Sequence, residues 1–214
     1  MAAGIRLPAG DVALDADLSI PEGAGGIVVF AHGSGSGRHS PRNRQVAAVL
    51  QGVGLATLLV DLLTAEEERI DERTRHLRFD LDLLARRLVA TADWLDAQPH
   101  TAHLALGYFG ASTGAGAALI AAAQRPERVA AVVSRGGRPD LAERALPLAR
   151  APTLLIVGSE DHPVIPLNRE AMAQLPGPTR LELIPGATHL FSEQGALDQV
   201  AGLAADWFTR HLTP

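Results

Sequence analysis

From Gly107 to Leu119 the chain reads GYFGASTGAGAAL. The run leading into it, AHLALGYFG from Ala102 to Gly110, is almost continuously apolar and ends in glycine, as strands buried on both faces of a parallel sheet do. The residues after it, Ser112 to Gln124, are alanine-rich and read as a helix. A strand, a glycine-rich turn and a helix can serve two chemistries: a loop that cradles phosphate, or the sharp turn that presents a nucleophilic serine. No Gly-Lys-Ser/Thr follows the glycines. Neither GASTGAG nor the second glycine-rich stretch, GSGSGRHS, fits Gly-x-Gly-x-x-Gly, so both phosphate fingerprints are missing. GASTG, Gly110 to Gly114, does fit Gly-x-Ser-x-Gly in its required strand-to-helix setting. The small residues permit a tight turn that pushes Ser112 outward. The next amide, Thr113, then lies at a helix N-terminus, where negative charge is favoured. A purely packing role for these glycines stays open at this point.

Working outward, the same alternation recurs. Val12–Ile20 alternates apolar and polar residues like an edge strand. Further strands are expected at Gly25–Gly33, Gly54–Asp61, Arg128–Gly137, Ala151–Asp161 and Thr179–His189. Helices are expected at Arg42–Val53, Phe79–Ala97, Asn168–Leu175 and Gln194–Leu212. This pattern predicts an α/β fold: one domain over residues 1–214, a mostly parallel sheet, and helices on both faces. The charged stretch LTAEEERIDERTRHLRFDLD is expected to be solvated surface, although its place after a strand could set part of it over a pocket.

Composition narrows the class. With 214 residues, 47% hydrophobic and 20% charged, the chain can build a real core. A net charge of −5 provides no basic field for nucleic acid. The absence of cysteine removes disulfides, thiolate metal sites and a cysteine nucleophile. No signal-peptide pattern and no apolar run of membrane-spanning length are seen, so the expectation is a cytoplasmic protein away from membranes.

In open α/β sheets ligands bind beyond the carboxyl ends of the strands, so those ends hold the chemistry. A serine hydroxyl needs a base to take its proton, and the base needs an orienting group. Ser112, Asp161 in VGSED and His189 in PGATHLF each follow a strand, in the order Ser, acid, His. Glu160 neighbours Asp161, but Gly158 three residues before Asp161 favours the latter. His162 reads as a bystander. Oxyanion donors are expected from the Thr113 amide and from the Ser34 amide after His32–Gly33, with Gly33 and Gly35 letting backbone approach a ligand. Arg135 and Arg138 in SRGGRPD sit on the same face and could bind an anionic substrate group; pairing with Asp140 and Glu143 is the plainer alternative. Arg42 and Arg44 could hold the oxyanion loop or be ordinary helix surface. His32, His39 and Asp61 lack a metal-ligand spacing, so no metal or organic cofactor is expected.

HGSGSGRHSPRN, LLVDLLTAEEE, LGYFGASTGAGAAL, VVSRGGRPDL, APTLLIVGSED and IPGATHLF together resemble the α/β-hydrolases, and within them the dienelactone-hydrolase-like branch. The resemblance runs from about Ala31 to Phe191. It implies Ser112 as nucleophile, His189 as base, Asp161 as its orienting acid, and Ser34 and Thr113 as oxyanion donors. Dienelactone hydrolases proper use a cysteine nucleophile. Ser112 and the lack of cysteine therefore point to generic hydrolysis of small, short-acyl esters. The length leaves no room for a large helical cap, so an open, shallow pocket is expected. Two other classes fit the same residues: an acyltransferase or lactone hydrolase on the same site, and a triad-bearing small-molecule binding protein with negligible turnover. The partners expected are an ester and water, with the chain a monomer or homodimer.

Overall fold

A computed structural model describes residues 3–213. One eight-stranded sheet runs through it, built from β1 (Ala3–Ala9), β2 (Val12–Ser19), β3 (Gly26–Ala31), β4 (Ala56–Val60), β5 (Ala105–Ala111), β6 (Val129–Arg135), β7 (Thr153–Gly158) and β8 (Thr179–Ile184). Their order across the sheet is β1-β2-β4-β3-β5-β6-β7-β8. The β1–β2 and β2–β4 pairings are antiparallel, and every pairing from β4 onward is parallel. The α/β class, the mostly parallel sheet and the helices on both faces are therefore as the sequence predicts. The strand β1 is an addition: Pro8, a poor strand residue, sits on the outermost strand, where a missing N–H is tolerated.

The central strands are buried on both faces because each face carries helices. On β3, Val28 and Phe30 pack with α1 (Pro41–Gly52) and α6 (Ala196–Leu212), whereas Ile27, Val29 and Ala31 face α3 (Leu81–Asp96) and α4 (Thr113–Gln124). On β5, Phe109 meets Phe30 at a ring separation of 4.9 Å, and Tyr108 points the other way, its hydroxyl donating to the Leu88 carbonyl at 3.0 Å. That bond lets a fully buried phenol stay neutral, and burial pushes its pKa up. The short helix α5 (Val164–Met172) begins four residues before its expected start, because Val164 and Ile165 pack on Val157 of β7.

The charged stretch after β4 is largely exposed, as expected, and folds into α2 (Ala65–Thr74) and a 3₁₀ turn at Leu77–Phe79. Thr64 and Glu67 make a reciprocal capping box at its start. Two of its acids pair with arginines outside the helix. Arg87 of α3 is buried and meets Glu67 at 2.7 Å, and Asp71 is buried, accepting from the Arg78 backbone N–H at 3.1 Å and from its guanidinium. Burial works to raise the Glu67 pKa, but the bonds from Arg87 and Thr64 prevail and hold it below the usual carboxylate range. Replacing Glu67 with alanine strands a buried guanidinium. The expected cost is about 2 kcal/mol, or about 4–8 °C in Tm, checked by thermal and urea unfolding, with Glu67→Gln losing less.

Candidate active site

The site lies at the carboxyl edge of the parallel strands, and the turn between β5 and α4 organises it. Ser112 has φ 50° and ψ −123°, a conformation a non-glycine residue rarely adopts. It persists because its surroundings leave no room for relaxation. A Cβ on Gly114 would lie 2.2 Å from the Ala31 carbonyl oxygen, and one on Gly110 would lie 2.5 Å from the Ala115 Cα. The Ser112 carbonyl accepts from Ala115 N–H at 3.1 Å and Arg138 N–H at 3.0 Å, so both the helix and the loop after β6 hold the turn.

The glycine-rich loop expected to supply an oxyanion donor follows β3, the neighbour of β5. A Cβ on Gly33 would stand 3.0 Å from the Ser112 Cβ, so the loop backbone runs directly against the serine. Ser34 Oγ and Thr113 Oγ1 are 3.2 Å apart, bringing the two expected donor residues together. Neither amide donates to another group among the described residues, which leaves both N–H groups available to a ligand. Three contacts hold the loop. His32 accepts from the Leu62 N–H at 2.9 Å through Nε2, so its Nδ1 carries the proton and donates to the Gly33 carbonyl at 3.0 Å. Asp61 accepts from the Arg38 backbone N–H at 2.6 Å and also binds the Arg38 guanidinium. Asp17 lies 3.6 Å from that guanidinium on its other side. His32, His39 and Asp61 are thus engaged separately, His39 with Arg44. The structural role of His32 and Asp61 was not read from sequence; their only signal was a His and an Asp closing adjacent buried strands.

Asp161 and His189 come together after β7 and β8. Asp161 is buried, its N–H bonded to the Gly158 carbonyl at 3.0 Å, and its Oδ2 lies 2.7 Å from His189 Nδ1. Glu160 instead pairs with the exposed His162 at 3.5 Å. His189 is half-exposed, on a loop anchored by the buried Phe191. The turn after β6 touches both halves of the site: a Cβ on Gly136 would lie 3.6 Å from His189 Nδ1, two residues before the Arg138 bond to Ser112. Ser112 Oγ makes no hydrogen bond to His189 within 3.5 Å. Such contacts commonly tighten only with substrate in place.

A small pocket sits over the oxyanion loop, lined by Ser34, Gly35, Thr113, Leu63, Glu68 and Arg78. Part of α2 therefore does cover the site. Burial pushes the Glu68 carboxyl above its ordinary pKa. A wider cleft between the 3₁₀ turn and residues 141–145 lies a turn of α4 away, with Leu141 Cβ 3.2 Å from the position of a Gly116 Cβ. The smaller pocket is the one that meets the serine's neighbours. Of the two arginines singled out in sequence, Arg138 is engaged by Asp140 through bonds of 2.8 and 2.7 Å, which takes it away from a ligand. Arg135 has no such partner among the described residues.

With this geometry in hand, comparison with known proteins is decisive on family. The model of the dienelactone hydrolase family matches residues 14–212. The chain belongs to the dienelactone hydrolase family. A dienelactone hydrolase from Anabaena variabilis is 63% identical, with a TM-score of 0.98 over 99% of this chain and 98% of that one. Est1E from Butyrivibrio proteoclasticus shares the fold at a TM-score of 0.81 and 16% identity, covering 97% and 98% of the two chains. A Mycobacterium tuberculosis protein with the provisional name phosphoribosyl transferase is 59% identical over 208 residues, which are 97% of this chain and 46% of that protein. The chain thus spans about half the length of that relative. Among the described residues no helix is long and apolar enough to cross a membrane.

The elbow makes a demand that stability measurements can read. Gly114→Ala drives a methyl group into two backbone carbonyls, of Ala31 and His32, that cannot turn aside. A loss of about 2 kcal/mol or more is expected in urea unfolding, whereas Gly202→Ala, in open space on α6, is expected to be neutral or slightly stabilising.

Proposed function

We propose that this chain is a serine hydrolase of small, short-acyl carboxylic esters. The observation that supports the reading most is the convergence at Ser112. A strained serine lies against the Gly33–Ser34 loop, whose Ser34 amide, like that of Thr113, is not used by the protein, and the loop after β6 that bonds its carbonyl also touches the Asp161-oriented imidazole. In this reading Ser112 Oγ attacks the acyl carbonyl and His189 Nε2 takes its proton. Asp161, bonded to Nδ1, holds the ring in the tautomer that leaves Nε2 free and stabilises the imidazolium. The Ser34 and Thr113 amides bind the oxyanion, an arrangement in which one donor is commonly worth about 10²–10³ in rate. His189 then protonates the leaving alcohol, and a water that it activates releases the acid from the acyl-enzyme.

A lactone is an ester closed on itself, so lactones fall within the same chemistry, in keeping with the name of the 63%-identical Anabaena protein. Phosphoribosyl transfer is not part of this reading: that name belongs to a protein about twice as long. Hydrolysis of 4-nitrophenyl acetate and butyrate tests the proposal, together with intact mass after a fluorophosphonate probe. Turnover and one covalent adduct are expected in the wild type. Both are expected to vanish in Ser112→Ala, with kcat down by up to ~10⁶ if the three residues act as a unit. A wild type that neither takes the probe nor turns over either ester contradicts it.

A further inference from the structure

Ser112 and the Asp161–His189 pair stand on different loops, and acyl transfer between them depends on how those loops are held to each other. One buried side chain reaches towards both. Asn168 sits in the second turn of α5 and is fully buried. Its Nδ2 donates to the Gly137 carbonyl at 3.1 Å and to the Val164 carbonyl at 2.9 Å.

The first bond leads to the nucleophile. Gly137 is followed by Arg138, whose N–H donates to the Ser112 carbonyl at 3.0 Å. It is preceded by Gly136, whose N–H donates to the Ile156 carbonyl of β7 at 2.8 Å. A Cβ on Gly136 would lie 3.0 Å from the His189 carbonyl oxygen, so this turn also abuts the base. The second bond leads to the acid. The Val164 and Ile165 N–H groups donate to the Asp161 carbonyl at 3.0 and 3.3 Å, so α5 starts on the residue that orients His189.

Asparagine is an odd choice for this position. It is a weak helix former, and the two carbonyls in front of it fix the amide so that Nδ2 faces them. Its Oδ1 is then buried without a partner among the described residues. An unpaired buried acceptor is costly, and what sets against it is the bond across to Gly137. The loop has no other handle there. A Cβ on Gly137 would lie 1.9 Å from Ser134 Oγ and 2.5 Å from Ala115 Cβ, so no side chain of its own can anchor it. Its carbonyl accepts no other hydrogen bond among the described residues.

We propose that Asn168 is a positioning residue for the reaction: by bonding the Gly137 and Val164 carbonyls at once, it sets the spacing between Ser112 and the Asp161–His189 pair. The role in turnover rests on the hydrolase reading above; the coupling of the two loops does not. Two variants test it. Asn168→Leu keeps the volume and removes both bonds. Asn168→Ser has one hydroxyl proton, which can serve the Val164 carbonyl four residues back but not Gly137 as well, and it decides the matter if the leucine variant does not fold. Thr101→Val is the control: Thr101 is buried too, and its hydroxyl bonds the Leu95 carbonyl at 2.7 Å, ahead of β5 and away from the site. With 4-nitrophenyl butyrate, well below each unfolding temperature, kcat is expected to fall about ten- to a hundredfold in both Asn168 variants. KM is expected to stay within about twofold, because the loss is of alignment and not of binding. A kcat that matches the Thr101→Val control, one retained in Asn168→Ser, or a loss expressed in KM alone overturns the proposal. If the wild type hydrolyses no ester, the hydrolase reading falls, and amide hydrogen exchange at Arg138 decides the coupling. Exchange several-fold faster in the Asn168 variants, and unchanged in Thr101→Val, upholds it; exchange equal to the wild type overturns it.

Discussion

The backbone at Ser112 is the constraint on which the rest of the structure depends. A serine with φ 50° is strained by about 1–3 kcal/mol, and it stays there only because β5, β3 and α4 close around the turn. Gly110 and Gly114 permit that closure, since a side chain at either would collide with backbone. From this one fixed point the other parts take their places. The oxyanion loop runs against the Ser112 Cβ through Gly33, the Thr113 amide opens α4, and the loop after β6 bonds the Ser112 carbonyl through Arg138. Strain stored there is offset by the buried sheet and not by the site itself.

A second theme is how the chain spends its acids. Asp61 and Asp17 grip Arg38 and so hold the oxyanion loop, Glu67 holds Arg87 beneath α2, and Asp71 holds Arg78 beside the small pocket. The Arg38 and Arg87 pairs join segments 20 or more residues apart, whereas the Asp71–Arg78 pair closes a local turn. Preorganised amide donors are worth most when they need not reorganise as charge develops, and loops clamped in this way meet that requirement.

Much of this was legible in the residues. Parallel strands covered on both sides must be continuously apolar, so β3, β5, β6 and β7 could be read directly; the carboxyl ends of β5 and β7 located Ser112 and Asp161, and that of the half-buried β8 located His189. Gly158 distinguished Asp161 from Glu160, in agreement with the observed bond to His189. What escaped was whatever depends on a distant partner. The pairings of Glu67 and Asp71 in Ala65–Thr74 could not be read because their arginines, Arg87 and Arg78, lie outside that stretch. Arg135 and Arg138 lie three residues apart, yet Arg138, in the loop, is tied to Asp140, and Arg135, which closes β6, is buried without a partner. The strand β1 was missed because Pro8 and its exposed edge positions hide the alternation.

The central claim is that Ser112 forms a covalent acyl intermediate that His189 and water resolve. It is tested most directly by rapid acid quenching during turnover of 4-nitrophenyl butyrate, followed by intact mass and peptide mapping. The account expects a transient mass increase of one butyryl group, located on the peptide that contains Ser112 and prolonged in His189→Ala when the acyl group is loaded from an activated donor. Ester turnover with no acylated species at any time, or acylation located on another residue, would contradict it.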